Sequence, residues 1–123
     1  MKLEKAFRFY QKRNNYDIII NSKGSIQRIA VTNISYIEKD RDDLIFHTIE
    51  GDFSERGSIK AMKEKLSELP FSECTSGCLV NLENVKRVEK DIITLNNGTK
   101  LPLSRRNKKQ FTQEYITYVG GGY

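Results

Sequence analysis

Residues 92–109 read IITLNNGTKLPLSRRNKK. Asn97-Gly98 is the strongest hairpin signal in the chain and predicts a type I′ turn that pairs IITL with KLPL. Pro102 puts the second of these strands at a sheet edge, because proline cannot donate to a neighbouring strand. Ser104 then reads as a helix N-cap. From about Arg105 the pattern is helical, with Phe111, Tyr115, Tyr118 and Val119 as the apolar stripe. A helix N-terminus carries a partial positive charge and favours acidic residues. This one instead carries Arg105, Arg106, Lys108 and Lys109, with no carboxylate until Glu114. Four cations over free backbone N–H groups make a poor helix start in isolation and a good site for phosphate. The alternative is a solvated basic face.

Working back toward the N-terminus, the pattern stays β. Phe71–Cys74, Cys78–Val80 and Val85–Glu89 read as strands, and so do the YDIIIN, SIQRIAV, NISYIE and LIFHTI segments between Tyr16 and Ile49. Turns are expected at Ser22-Lys23-Gly24 and Glu50-Gly51-Asp52, with a charged loop over 39–43. Strands of about five residues at intervals of about ten suggest an antiparallel meander. One helix interrupts it. Ser58 caps it, Ile59, Met62, Leu66 and Leu69 form its buried stripe, and Pro70 stops it. Met62 is core filler. Residues 1–15 put Leu3, Phe7 and Tyr10 on one stripe among cations, as expected of a linker or the end of a preceding helix. The domain then spans 16–119, and 120–123 form a flexible tail.

The 123-residue chain suits one domain, and its hydrophobic content of 37% is low. A core is affordable only if strands use both faces of a thin sandwich or a partner covers part of the surface. No run approaches the ~20 apolar residues of a membrane span, and cations interrupt every apolar stretch near Met1, so a cytoplasmic protein without a membrane partner is expected. The net charge of +5 is uneven: residues 1–13 hold +4, residues 14–99 hold −3 and residues 100–123 hold +4. Basic ends around a mildly acidic middle point to a polyanionic partner.

Chemistry of other kinds has little local support. The single histidine, His47, lies in a strand and reads as structural. Asp40, Asp42 and Asp43 lack the glycine and distal glutamate of a calcium loop and read as a solvated turn. There is no glycine-rich phosphate loop. Cys74 and Cys78 are too few for a disulfide framework and, taken as one strand, too far apart to bridge. They read as reduced packing residues. Neither an enzyme nor a cofactor is expected.

Ile34-Ser35-Tyr36-Ile37-Glu38, then GSIKAMKEKL, then Phe71 with CLVNLENV at 78–85, then LPLSRRNKK, occur in an order and spacing that resemble the LytTR DNA-binding domain of bacterial response regulators. The resemblance covers roughly Tyr16 to Phe111. It implies a mainly β fold: an elongated, antiparallel, β-sandwich-like domain with one short internal helix and a C-terminal helix. It also implies that three loops contact double-stranded DNA. In this chain they are the loop with Lys39 and Arg41, the loop with Thr75 and Ser76, and the segment Ser104, Arg105, Arg106, Asn107, Lys108 and Lys109. The family's reading arginine lies two residues after the serine, which points to Arg106. Such proteins bind direct repeats in promoters, commonly as dimers, and usually carry an N-terminal receiver domain, which this chain lacks. Where the family shows a basic, His-containing stretch, this chain has SECTSGC, in which Glu73 would repel phosphate. Asn81 reads as structural. Two other functions compete: a protein-interaction or dimerisation module whose basic patch meets an acidic partner, and a β platform for single strands or RNA.

Overall fold

The computed structural model describes residues 16–121. The expected linker at 1–15 lies outside the described residues, as do Gly122 and Tyr123 of the expected tail. The strands are β1 (Asp17–Ser22), β2 (Ser25–Ala30), β3 (Ile34–Asp40), β4 (Asp43–Thr48), β5 (Gly51–Arg56), β6 (Phe71–Thr75), β7 (Cys78–Asn81), β8 (Val85–Glu89), β9 (Ile92–Leu95) and β10 (Lys100–Pro102). Helix α1 spans Ile59–Lys65 and α2 spans Arg105–Val119. The fold is mainly β, as the sequence suggests, but it is not a simple meander. A five-stranded antiparallel sheet has the order β5-β4-β3-β7-β6, so β3 pairs with its neighbour β4 on one side and with distant β7 on the other. The hairpin β1–β2 and the sheet β10-β9-β8 complete it, with β10 and its Pro102 on an edge.

Successive strand residues point to opposite faces, and the central strands use both. On one face Ile37, Phe46 and Leu79 pack with Ile18, Ile20 and Ile29 of the hairpin and with Ile59 and Met62 of α1. On the other, Cys74, Cys78 and Val80 pack with Ile93, Leu95, Leu101 and Leu103 and with Phe111 of α2. All four residues of β7 are buried, as befits a strand covered on both sides. Two thin cores therefore share one sheet, which is how a polar chain buries enough apolar surface. Where the sheet face is left open near β5, His47 stacks on Tyr36 with ring centroids 4.2 Å apart. Its nitrogens sit 2.6 Å from Glu38 Oε2 and 3.0 Å from Asp52 Oδ1, which ties three strands together. The same burial, and then the Glu38 carboxylate, push the Tyr36 phenol above its ordinary range.

Several local expectations are corrected. The hairpin at 96–98 is not a type I′ turn: Gly98 has φ +94 but Asn97 is not left-handed. Gly98 N–H donates to Leu95 O at 2.9 Å, which makes a three-residue loop with glycine at the left-handed position. The paired positive φ of a type I′ turn occurs instead at Lys23-Gly24, with φ 47 and 84. Helix α1 ends at Lys65, short of the predicted Leu69; a tight turn with Leu69 N–H donating to Leu66 O at 2.9 Å still buries Leu66 and Leu69. The charged loop over 39–43 shrinks to Arg41-Asp42, because β3 and β4 pair out to Asp40 and Asp43.

Cys74 and Cys78 do not share a strand. They face each other across the β6–β7 hairpin, both buried and free, with Cys74 Sγ donating to Cys78 O at 3.8 Å. The adjacent Cys74 thiol and then burial push the Cys78 thiol above its ordinary range. The same contact with Cys78 lowers the Cys74 thiol, but burial shields both sulfurs, so both should resist iodoacetamide at pH 8 in the native state and label promptly in urea, read by mass spectrometry. Fast native labelling would mean that this hairpin opens.

Candidate nucleic-acid interface

Ser104 caps α2 as expected, its Oγ accepting from Asn107 N at 3.3 Å. Asn107 Nδ2 also donates to Ser104 Oγ, at 3.0 Å. One amide hydrogen is thus given to the cap, and Asn107 helps position the helix start. Arg105 and Arg106 occupy the first two helical positions, exposed and without an ion pair among the described residues. Lys109 is likewise free, whereas Lys108 Nζ lies 3.2 Å from Asp91 Oδ1. Phe111, fully buried, anchors the helix below this basic turn. Tyr115 OH donating to Val85 O at 3.2 Å and Ser72 Oγ donating to Glu114 Oε1 at 2.5 Å hold it further along.

The three segments singled out in the sequence meet through backbone hydrogen bonds. Ser104 N–H donates to Cys74 O at 2.9 Å, joining α2 to the β6–β7 hairpin. Lys39 N–H donates to Gly77 O at 2.8 Å, joining that hairpin to the end of β3. Thr75 is half-buried at the end of β6 and Ser76 is exposed at the turn. Arg41 stands exposed on the adjoining β3–β4 turn with φ 60, a left-handed conformation costly for a side-chain-bearing residue. Lys39 itself is partly spent, its Nζ donating to Gly57 O at 2.8 Å while Gly57 N–H donates to Asp42 O at 3.1 Å. A Cβ at Gly57 would approach Leu44 Cδ1 to 3.3 Å, so glycine suits this brace. Glu73, expected to repel phosphate, is paired with Lys63 at 3.0 Å.

Three participants escaped the sequence reading. Gly57 braces the first turn, Arg56 stands exposed across from Asp43, and the Lys90-Asp91 turn borders α2 through Leu103 N–H donating to Asp91 O at 2.8 Å. The charge of Arg56 and Lys90 was visible, but neither lies in a segment that the pattern picked out. Proximity came only with pairing.

Two turns joined to a capped basic helix start form one edge of this β-rich domain. The family model of the LytTr DNA-binding domain matches residues 24–115, and this chain belongs to that family. Its fold is similar to that of a solved LytTr DNA-binding domain from Bacillus cereus, with a TM-score of 0.71, 15% identity, and coverage of 80% of this chain and 94% of that one. No curated protein matches the chain. Among the described residues, no helix is long and apolar enough to cross a membrane.

Proposed function

We propose that this domain binds double-stranded DNA sequence-specifically as the output module of a bacterial response regulator. One observation carries the reading: backbone hydrogen bonds join the β3–β4 turn, the β6–β7 turn and the start of α2, and the joined edge offers Arg41, Arg105, Arg106 and Lys109 without ion partners among the described residues. Arg106 reads a base edge, while Arg105, Lys108, Lys109 and Arg41 hold phosphates. Thr75 and Ser76 contribute to base choice. Asn107 and, in large part, Lys39 act by holding the loops in place. The domain occupies residues 16–119, follows a receiver domain in the intact regulator, works in the cytoplasm, and binds promoter repeats as a dimer.

The test is a titration of selected and scrambled duplexes, the matching single strand and an acidic polypeptide at several salt concentrations. Duplex binding should be preferred, with log affinity falling steeply with log salt. Because neutral hydroxyls release no counterions, Thr75→Ala with Ser76→Ala should relax sequence preference and leave the salt slope unchanged. Equal affinity for the acidic polypeptide, or preference for the single strand, would replace this reading.

A further inference from the structure

We infer that the outer face of the β8–β9–β10 sheet is a second DNA-contacting surface, one that follows the phosphate backbone beyond the three loops. The inference rests on the duplex-binding reading above. Ile93 and Leu95 point inward to the core, so their neighbour Thr94 points outward. Thr94 pairs with Arg87 on one side and Lys100 on the other. The two cations therefore flank it in one row across three strands, about 10 Å apart at Cα. Thr94 is only 8% exposed although it lies on the outer face, while Arg87 and Lys100 are exposed and have no ion partner among the described residues.

The row continues to the reading edge. Lys90, at the tip of the β8–β9 turn, is exposed and held at φ 57. A lysine there carries a conformational cost that glycine would not, and such positions concentrate at functional sites. Its neighbour Asp91 bonds directly to the start of α2, through its carbonyl to Leu103 and its carboxylate to Lys108. Lys90, Arg87 and Lys100 thus extend the basic helix start onto a sheet face. Glu89, aligned with Arg87 along β8, is a carboxylate on that face. Unpaired cations spaced along one rigid sheet fit a regularly charged, extended polyanion. The loops then supply register on the duplex, and this face adds length to the footprint without reading bases.

The experiment compares the domain with the Arg87→Ala, Lys100→Ala double variant and with Lys90→Gly, on random-sequence duplexes of 16 and 40 base pairs between 50 and 200 mM salt. Random sequence suffices because phosphate contacts carry no sequence information. On the longer duplex the double variant should show a salt slope shallower by about 1.8, so its deficit at 50 mM is about tenfold larger than at 200 mM. On the shorter duplex the deficit should shrink. Lys90→Gly relieves the left-handed strain, so its thermal midpoint should hold or rise while long-duplex affinity falls. Equal slopes for the wild type and the double variant on the long duplex, with circular dichroism unchanged, would overturn the inference while leaving the loop reading intact. An equal deficit on both lengths would also overturn it, placing these cations inside the core footprint. If the wild type binds neither duplex, the duplex-binding reading itself fails, and this inference with it.

Discussion

Replacing Arg106 by alanine should lower affinity for the tightest duplex recovered from a random pool by about ten- to a hundredfold, matching the ~1–3 kcal/mol of a bidentate arginine–guanine contact. The loss should be much smaller on scrambled duplex, so preference among sequences flattens. The side chain is exposed, has no ion partner among the described residues, and follows a cap that Ser104 and Asn107 close from both ends. Little of its binding energy is then spent on ordering backbone. Adjacent helical residues diverge by about 100°, so Arg105 and Arg106 cannot both enter the groove in the same way. Arg105→Ala should therefore weaken all duplexes alike and reduce the salt slope by about 0.9. Exchanged outcomes for the two variants would exchange their roles. Lys109→Ala should cost more than Lys108→Ala, because Lys108 must first leave Asp91. If none of the four substitutions affects duplex binding, the site lies elsewhere.

Asn81→Ala should be the most damaging substitution to the fold outside the apolar core. The side chain is fully buried. Its Nδ2 donates to Ile34 O at 2.9 Å and Val31 O at 3.3 Å, and its Oδ1 accepts from Glu83 N at 3.0 Å. It thereby bonds the turn that leads into β3 to the turn that leaves β7. Alanine removes the side-chain acceptor of the Glu83 N–H and one of two donors to each of the Val31 and Ile34 carbonyls, which keep the Ile34 N–H and the Asn84 amide respectively. Each of the three lost hydrogen bonds is worth about 0.5–1.5 kcal/mol, so a total loss of about 2–3 kcal/mol is expected. For a domain of this size that lowers the thermal midpoint by about 10 °C or more. In urea the transition midpoint should fall with the m value unchanged. A midpoint within experimental error of the wild type would show that water replaces the amide.

Much of the fold was legible because its signals are local. The Ser58 and Ser104 caps, the Pro70 stop, the edge position of Pro102 and most strand boundaries depend on residues within a few positions of one another. The failures share another cause. Cys74 and Cys78 are beyond bridging distance only if four residues of one strand separate them; the β6–β7 hairpin instead sets them face to face. Asn97-Gly98 was given a two-residue turn because the dipeptide favours one; the pairing of Lys100 with Thr94 demanded a third loop residue.

The candidate site divides in the same way. Local sequence was enough to show the basic helix start, its cap and the order of the family's segments, since charge, capping and spacing are read along the chain. Only the tertiary structure decided which cations remain available. Lys39 donates to Gly57 O, Lys63 neutralises Glu73 and Lys108 meets Asp91, while Arg41, Arg105, Arg106 and Lys109 stay unpaired among the described residues. Those partners lie 10 to 18 residues away in sequence, and Cys74 and Ser104, which join two of the loops, lie 30 apart. Strand pairing brings such residues together, and it is set by how the whole chain buries its two apolar faces, a property no single segment carries.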